Sequence, residues 1–401
     1  MSPVIFHIDV NSAYLSWTAV EQLKNGAKVD LREIPSIIGG DKKSRHGVVL
    51  AKSISAKKYG IRTGEPVVNA FRKCPNLAME PPNHRMYREK SQKLMEYLRG
   101  FTTKIEQVSV DECYLDFTDI ADRFPSPLDA AFLMKNGIRE RFGFTVNIGI
   151  SENKLLAKMA SDFEKPDKVH TLFLREVPVK MWPLPLGELF MAGRSSVEAL
   201  KKLEINTIGD LANADLSLIE LHLKSHGKML WEFANGIDHS PVQWEQAEAK
   251  GIGNSTTLAE DAATYEEVRE VFVGLAESVG RRLRKAGQKA NMVSMEIKYH
   301  DFQSISHQTQ LSKPTSDEQV LLDTACRLFQ EAWTGEPVRL LGIRTAKLVD
   351  AGEPEQMSIF DLEPQKPVDE KRQRLNAAMN QIRKKYGDDA VMKASRMKKV
   401  K

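Results

Sequence analysis

The chain has 401 residues, 41% hydrophobic and 28% charged, the proportions of a folded globular protein rather than a disordered or fibrous one. Its net charge of +4, from 58 basic and 54 acidic residues, is too small to argue alone for a nucleic-acid partner, and its length predicts two to four domains. Scattered Cys74, Cys113 and Cys326 exclude a disulfide framework or a CxxC zinc site, and the lack of a signal-peptide pattern or long apolar run predicts a cytoplasmic protein with no membrane span.

Residues 4–10 form a short apolar run with Asp9 near its end, read as a buried strand, and Ser12 occupies the cap position of a helix running to Asn25-Gly26. Residues 26–74 form a small inserted subdomain. An amphipathic helix is predicted over 85–98, two strands over 105–117 turning near Val110-Asp111-Glu112, a helix over 127–142, a strand over 145–150 and a helix over 153–163. This order is the split βαβ pattern. Residues 184–235 read as short helices joined by Gly193-Arg194 and Thr207-Ile208-Gly209-Asp210, an all-α module. Residues 238–250 lack periodicity and read as a linker. A second split βαβ unit follows: strand 253–258, helix 265–285, strands 293–299 and 304–311, helix 317–333 and strand 338–348. The fold class is therefore α/β (α+β) and multidomain. After Asp350 the composition turns to Gly, Pro and Glu, predicting a mobile tail; from Pro364 onward it carries about +8, leaving about −4 on the rest.

Asp9 at a strand end and Asp111-Glu112 at a hairpin of the same sheet bring three carboxylates toward one edge. Adjacent strand residues face opposite ways, so Asp111 and Glu112 share a site only where the hairpin turns. Converging carboxylates repel unless cations neutralise them, which suggests a two-metal phosphoryl-transfer site; the alternative is a solvated acidic turn. No Walker-type loop, GxSxG or HExxH is present to support another enzyme class.

The segments His7-Ile8-Asp9-Val10-Asn11-Ser12-Ala13-Tyr14 and Val108-Ser109-Val110-Asp111-Glu112-Cys113-Tyr114-Leu115-Asp116 resemble the two catalytic motifs of Y-family (translesion) DNA polymerases. Three more stretches match in order: Ala56-Lys57-Lys58-Tyr59-Gly60-Ile61-Arg62-Thr63-Gly64, then Gly149-Ile150-Ser151-Glu152-Asn153-Lys154-Leu155-Leu156-Ala157-Lys158 with Lys165-Pro166, then Ser255-Thr256-Thr257-Leu258-Ala259-Glu260-Asp261. The resemblance runs from about residue 3 to 348. It implies a right-hand polymerase with a palm at 1–25 and 75–168, fingers at 26–74, an all-α thumb at 169–237, a linker at 238–250, a little finger at 251–349 and a tail at 350–401.

By the same resemblance, Asp9, Asp111 and Glu112, with the carbonyl of Val10, are ligands of two Mg2+ ions, with Mn2+ as a substitute. Tyr14, next to Ala13, is implied as a steric gate against a 2′-hydroxyl, and Lys57 and Lys165 as triphosphate contacts. On residue type alone, Tyr14 would read first as a core aromatic of the first helix and the lysines as solvated side chains. The chain departs from the family at Ile54 and Lys57, where many members carry Tyr and Arg, and at Asn11, where many carry a second Asp.

In the all-α module the stretch around Gly193 and Arg194 resembles a helix-hairpin-helix that grips phosphate, against a plain helical bundle. Arg281, Arg282, Arg284 and Lys285 end a helix, where they suit either DNA backbone or the helix dipole. Gln356, Met357, Ile359, Phe360 and Leu362 resemble the peptide that docks on the bacterial sliding clamp. The implied function is low-fidelity, template-directed DNA synthesis on primer-template DNA with dNTP, by a monomer tethered to the clamp. The rival reading is a polymerase-shaped binding scaffold that has lost catalysis.

Overall fold

A computed structural model describes residues 3–40, 47–245 and 248–352, together with 378, 382 and 385. The chain divides into two compact units, residues 1–248 and 249–401.

The first unit is built on β1 (Ile5–Val10), whose apolar residues are buried because neighbours pair with it on both sides. The chain then enters α1 (Ala13–Lys24) through Ser12, which has φ 47° and makes no side-chain cap; its hydroxyl instead donates to the Lys52 carbonyl at 3.2 Å. The cap expected at Ser12 is thus absent, because the tight turn after β1 diverts the hydroxyl toward another strand. A separate small sheet follows, with β2 (Ser36–Gly39), β3 (Val49–Lys52), α2 (Ile54–Lys58), α3 (Val67–Lys73) and β4 (Ala78–Glu80), in strand order β3-β2-β4. It holds its own core around Ile37, Val49, Ala56, Ile61 and Val67.

The main sheet resumes after α4 (His84–Arg99) with β5 (Ile105–Gln107) and β6 (Glu112–Asp116), then α5 (Pro127–Phe142), β7 (Val146–Ser151), α6 (Lys154–Asp162) and β8 (Val169–Thr171). Its order is β5-β6-β1-β7-β8, with β1 antiparallel to both β6 and β7. Phe6, Ile8 and Val10 enter a core shared with α1, α4 and α5, while α6 packs against the sheet through β7 and β1. Short helices α7 (Val177–Lys180), α8 (Arg194–Lys201), α9 (Ile208–Ala212) and α10 (Leu216–Ala234) form an all-α module, with α10 broken at Lys224. Its core includes Leu155, Leu156 and Met159 of α6.

Residues 238–245 form no helix or strand, in line with their lack of periodicity, yet they are not a free linker. Asp238 accepts the Leu155 amide at 3.0 Å, the Gln243 amide donates to Glu106 at 2.8 Å, and Val242 is buried with Ile5, Tyr114 and Ala157. Val242 and Trp244 alone, in a polar stretch, give no period, which hid this contact.

In the second unit β9 (Gly251–Ala262), α11 (Tyr265–Lys285), β10 (Gln288–Tyr299), β11 (Ser304–Thr315), α12 (Glu318–Ala332) and β12 (Val338–Asp350) give a four-stranded antiparallel sheet ordered β11-β10-β12-β9. Both helices cover one face through Phe272, Leu275, Val279, Leu322 and Phe329. The strands carry polar Asn254, Ser294, Glu296, Ser306 and Arg344 along a groove of about 550 Å³. The mixed α/β, multidomain fold expected from the sequence is the one found.

Candidate active site

Strand alternation sends Phe6, Ile8 and Val10 into the core and Ile5, His7 and Asp9 to the other face. Asp9 pairs across the ladder with Glu112, the first residue of β6. Asp111 lies one residue earlier, in the turn, so alternation does not force it away from its neighbours. Ser109 shapes that turn: its hydroxyl donates to Asp111 Oδ1 at 2.5 Å and accepts the amides of Asp111 and Glu112 at 3.2 and 3.1 Å. The Val10 amide donates to the Asp111 carbonyl at 3.0 Å and ties the turn to β1.

Asp9, Val10, Ala13, Tyr14, Lys57, Asp111 and Lys165 all line one cavity of about 600 Å³. Glu112 does not line it. Its carboxylate takes Lys158 Nζ at 3.1 Å and lies 3.4 Å from His7 Nε2. The His7 ring and then Lys158 hold this carboxyl down to about 2 against the opposing effect of burial. His7 Nε2 has no aligned hydrogen bond and burial disfavours the charged form of its ring, so Lys158 is the firmer partner. Asp111 shifts the other way: burial raises its pKa, the charges of Asp9 and Glu112 add to that, and the Ser109 hydroxyl opposes it. Asp9 is bound by Lys165 Nζ, which also meets Asp162 at 2.8 Å.

Among the described residues no three His, Cys, Asp or Glu side chains gather tightly enough to hold a metal ion. Asp9 pairs instead with the ammonium of Lys165 and Glu112 with that of Lys158. The donors still fit a hard cation. Mg2+ needs only one or two carboxylates beside water and phosphate, Asp9 and Asp111 offer two on one cavity, and Lys165 marks a point where positive charge is stabilised.

Tyr14 is half-buried on the first turn of α1. Its ring stacks on Tyr87 with centroids 4.3 Å apart and planes 8° from parallel, and the Tyr87 hydroxyl is fixed by Thr18 at 3.0 Å. The ring is therefore held rigidly at the cavity wall.

Asn11, a departure from the family pattern, has a structural account. Its Oδ1 accepts from the Thr145 hydroxyl and the Asp167 amide, both at 2.9 Å, and its Nδ2 donates to Asn147 Oδ1 at 3.1 Å. The Asn147 amide group donates in turn to the carbonyls of Ser161 and Glu164 at 3.0 and 2.6 Å. Asn147 is thus fixed with its oxygen toward residue 11, which must donate; a carboxylate there could not. The pair holds the turn that carries Lys165.

The other predicted contacts lie elsewhere. Gly193 caps α8 and Arg194 pairs with Glu198 at 2.7 Å, neither lining the cavity. In the second unit Arg284 donates to the Ser316 carbonyl at 2.9 Å and pairs with Glu318 at 2.5 Å, and Arg282 donates to the Gly253 carbonyl at 2.6 Å, whereas Arg281 and Lys285 are exposed. Gln356, Met357, Ile359, Phe360 and Leu362, with the rest of the tail motif, fall outside the described residues. Sequence reasoning missed Ser109, Lys158, His7 and Lys52. Lys158 sat in a quoted motif but carries no local sign that it reaches Glu112, 46 residues away.

Among the described residues no helix is long and apolar enough to cross a membrane. Residues 8–162 match the impB/mucB/samB family and residues 249–359 match the impB/mucB/samB family C-terminal domain. A protein of Clostridium acetobutylicum named DNA polymerase IV is 47% identical over 399 residues, covering 100% of this chain and 99% of that protein. DNA polymerase IV 1 of Bacillus subtilis is 38% identical over 400 residues, covering 99% and 94%. A solved Y-family DNA polymerase chimera of Dbh and Dpo4 has a TM-score of 0.75 at 21% identity, covering 86% of this chain and 99% of that one, a likeness of fold. Matched in both units and along its whole length, the chain belongs to the impB/mucB/samB family and is a Y-family DNA-directed DNA polymerase.

Proposed function

We propose that this polymerase performs low-fidelity translesion synthesis: a primer 3′-hydroxyl attacks the α-phosphorus of a template-paired dNTP and pyrophosphate leaves. The observation that carries the reading is that Asp9 and Asp111 line the same cavity as Tyr14, Lys57 and Lys165. Asp9, Asp111 and Glu112, with the Val10 carbonyl, would hold two Mg2+ ions, for which Mn2+ substitutes. Bound there, the ions supply Lewis-acid charge neutralisation and a more acidic primer hydroxyl. The chain's own residues do the rest. Lys57 is exposed at the cavity and meets phosphate as a point charge. Lys165 keeps Asp162 as a partner when Asp9 turns to a cation, and so remains at the cavity to face the triphosphate. Ala13 lies beneath the nucleotide beside the Tyr14 ring.

On this reading the main sheet is the palm, residues 26–74 the fingers, the all-α module the thumb and the second unit the little finger. Gly193, Arg194, Arg281, Arg282 and Lys285 are the DNA-backbone candidates; Arg284 serves its own fold first, through Ser316 and Glu318. The tail motif from Gln356 to Leu362 docks on the sliding clamp, and the protein works as a cytoplasmic monomer. The scaffold reading has no observation of its own, since all three carboxylates are present.

Primer extension with Mg2+ on undamaged and lesion-bearing templates tests this function. Wild type should extend with dNTP and reject NTP. Tyr14→Ala should raise NTP incorporation relative to dNTP by on the order of 10²-fold, because it removes a clash rather than a weak apolar contact. Unchanged sugar discrimination would end the gate assignment, and no extension by wild type bound normally to primer-template DNA would favour the scaffold.

A further inference from the structure

The cavity holds a cation that neither the family pattern nor the sequence reading assigns. Lys52 is the last residue of β3, where alternation buries Val49 and Ala51 and turns Leu50 and Lys52 to the other side. Both of the latter line the cavity. Lys52 Nζ donates to the Thr63 hydroxyl at 3.1 Å, and Thr63 is itself a lining residue. Among the described residues neither Lys52 nor Lys57 has a carboxylate within ion-pair distance, unlike Lys158 and Lys165. Two unpaired ammoniums on one wall repel each other. Burial lowers the pKa of Lys52, and the charge of Lys57 lowers it further. The Glu65 carboxylate, beyond ion-pair distance, offsets this only in part, and a half-buried cation hydrogen-bonded to a hydroxyl and kept beside a like charge suits a polyanionic ligand that neutralises both.

The departures in the same segment indicate which ligand. Ile54 lines the cavity but offers no hydroxyl to phosphate, and Lys57 offers one ammonium in place of a guanidinium fork. We propose that Lys52 is a further phosphate-binding residue for the incoming nucleotide beside Lys57 and Lys165, its ammonium held at the cavity wall by Thr63 and replacing contacts that Ile54 and Lys57 cannot make. This rests on the polymerase reading of the same cavity. It also fixes the geometry of the site, because the Lys52 carbonyl accepts from Ser12, directly after β1, so the strand that carries the ammonium is tied to the turn that carries Asp9.

The test is single-nucleotide incorporation by the full chain on primer-template DNA, with inorganic tripolyphosphate as competitor. Lys52→Met should raise the KM for dNTP about tenfold with kcat within about twofold, the mark of a charge-assisted contact made in both ground and transition states. Lys52→Arg, which keeps the charge, should restore most of the affinity. Inhibition by tripolyphosphate should weaken by the same factor as KM. Unchanged KM and inhibition in a folded Lys52→Met protein would overturn the proposal, and so would a raised KM with unchanged tripolyphosphate inhibition, since Lys52 would then touch base or sugar. Should the Met variant melt early, Lys52→Gln keeps a polar head at the position and carries the same expectations. Extension by wild type with an inactive Asp9→Asn control keeps the polymerase reading intact whatever Lys52 does; failure of wild type to extend would remove that reading and the inference with it.

Discussion

Asp111→Asn is expected to reduce primer extension by on the order of 10³-fold or more, with primer-template binding within about twofold of wild type. The amide keeps the size of the side chain and still accepts from the Ser109 hydroxyl, so the turn before β6 survives. What it loses is one of two carboxylates on the cavity and, with it, half of the negative charge that a divalent cation would meet there. The sign of the stability change separates this from misfolding. Burial raises the Asp111 pKa, so the folded state favours the protonated form and the ionised group opposes folding once pH rises through the folded value. At neutral pH and without metal, the D111N protein should therefore melt at or above the wild-type temperature. A variant that melts lower and loses activity in proportion would point to structure instead, and one that extends primers normally would dismiss Asp111 from the chemistry.

Gly149→Ala should cost about 3 kcal/mol or more in unfolding free energy, the range of severe overpacking against backbone. Gly149 lies in β7 opposite His7, on the side where α6 crosses the sheet. A methyl group there would lie 1.9 Å from the Ala157 carbonyl oxygen and 2.5 Å from the Ser161 amide nitrogen. Both are backbone atoms of a buried helix, so no side-chain rotation relieves the clash; α6 must move off the sheet. That helix carries Lys158, the partner of Glu112, and Ser161, whose hydroxyl lies 2.8 Å from His7 Nδ1. Loss of stability in urea unfolding should accordingly come with loss of extension. A midpoint within the range of ordinary surface substitutions would mean that α6 and β7 are farther apart than described.

Where order in the chain decided the structure, the sequence was readable. The helix over 265–285 begins where expected because Thr264 and Glu267 form a capping box that needs no distant residue. The sheets followed from apolar runs of strand length, although β9, β10 and β11 extend several residues into polar stretches where only ladder pairing marks the ends. Asp9 and Asp111 were expected together because the first motif ends a strand and the second turns a hairpin of the same sheet, and both line one cavity. The cations around them were not. Lys158 reaches Glu112 across 46 residues and Asn11 reaches Asn147 across 136, and neither separation leaves a trace in local pattern. Lys52 escaped because β3 is four residues long, too short for alternation to stand out from the basic stretch of sequence before it. Ser12 has a helix-capping side chain by type, but its left-handed backbone follows from the turn after β1, which only the packed fold sets.

Anomalous scattering from crystals of the protein with primer-template DNA, a non-hydrolysable dNTP and Mn2+ bears most directly on the carboxylate site. Two manganese peaks are expected, bounded by Asp9, Asp111 and Glu112, with Lys165 turned from Asp9 to the triphosphate. Bound nucleotide with no manganese between those carboxylates, or with Asp9 still held by Lys165, would contradict the two-metal account.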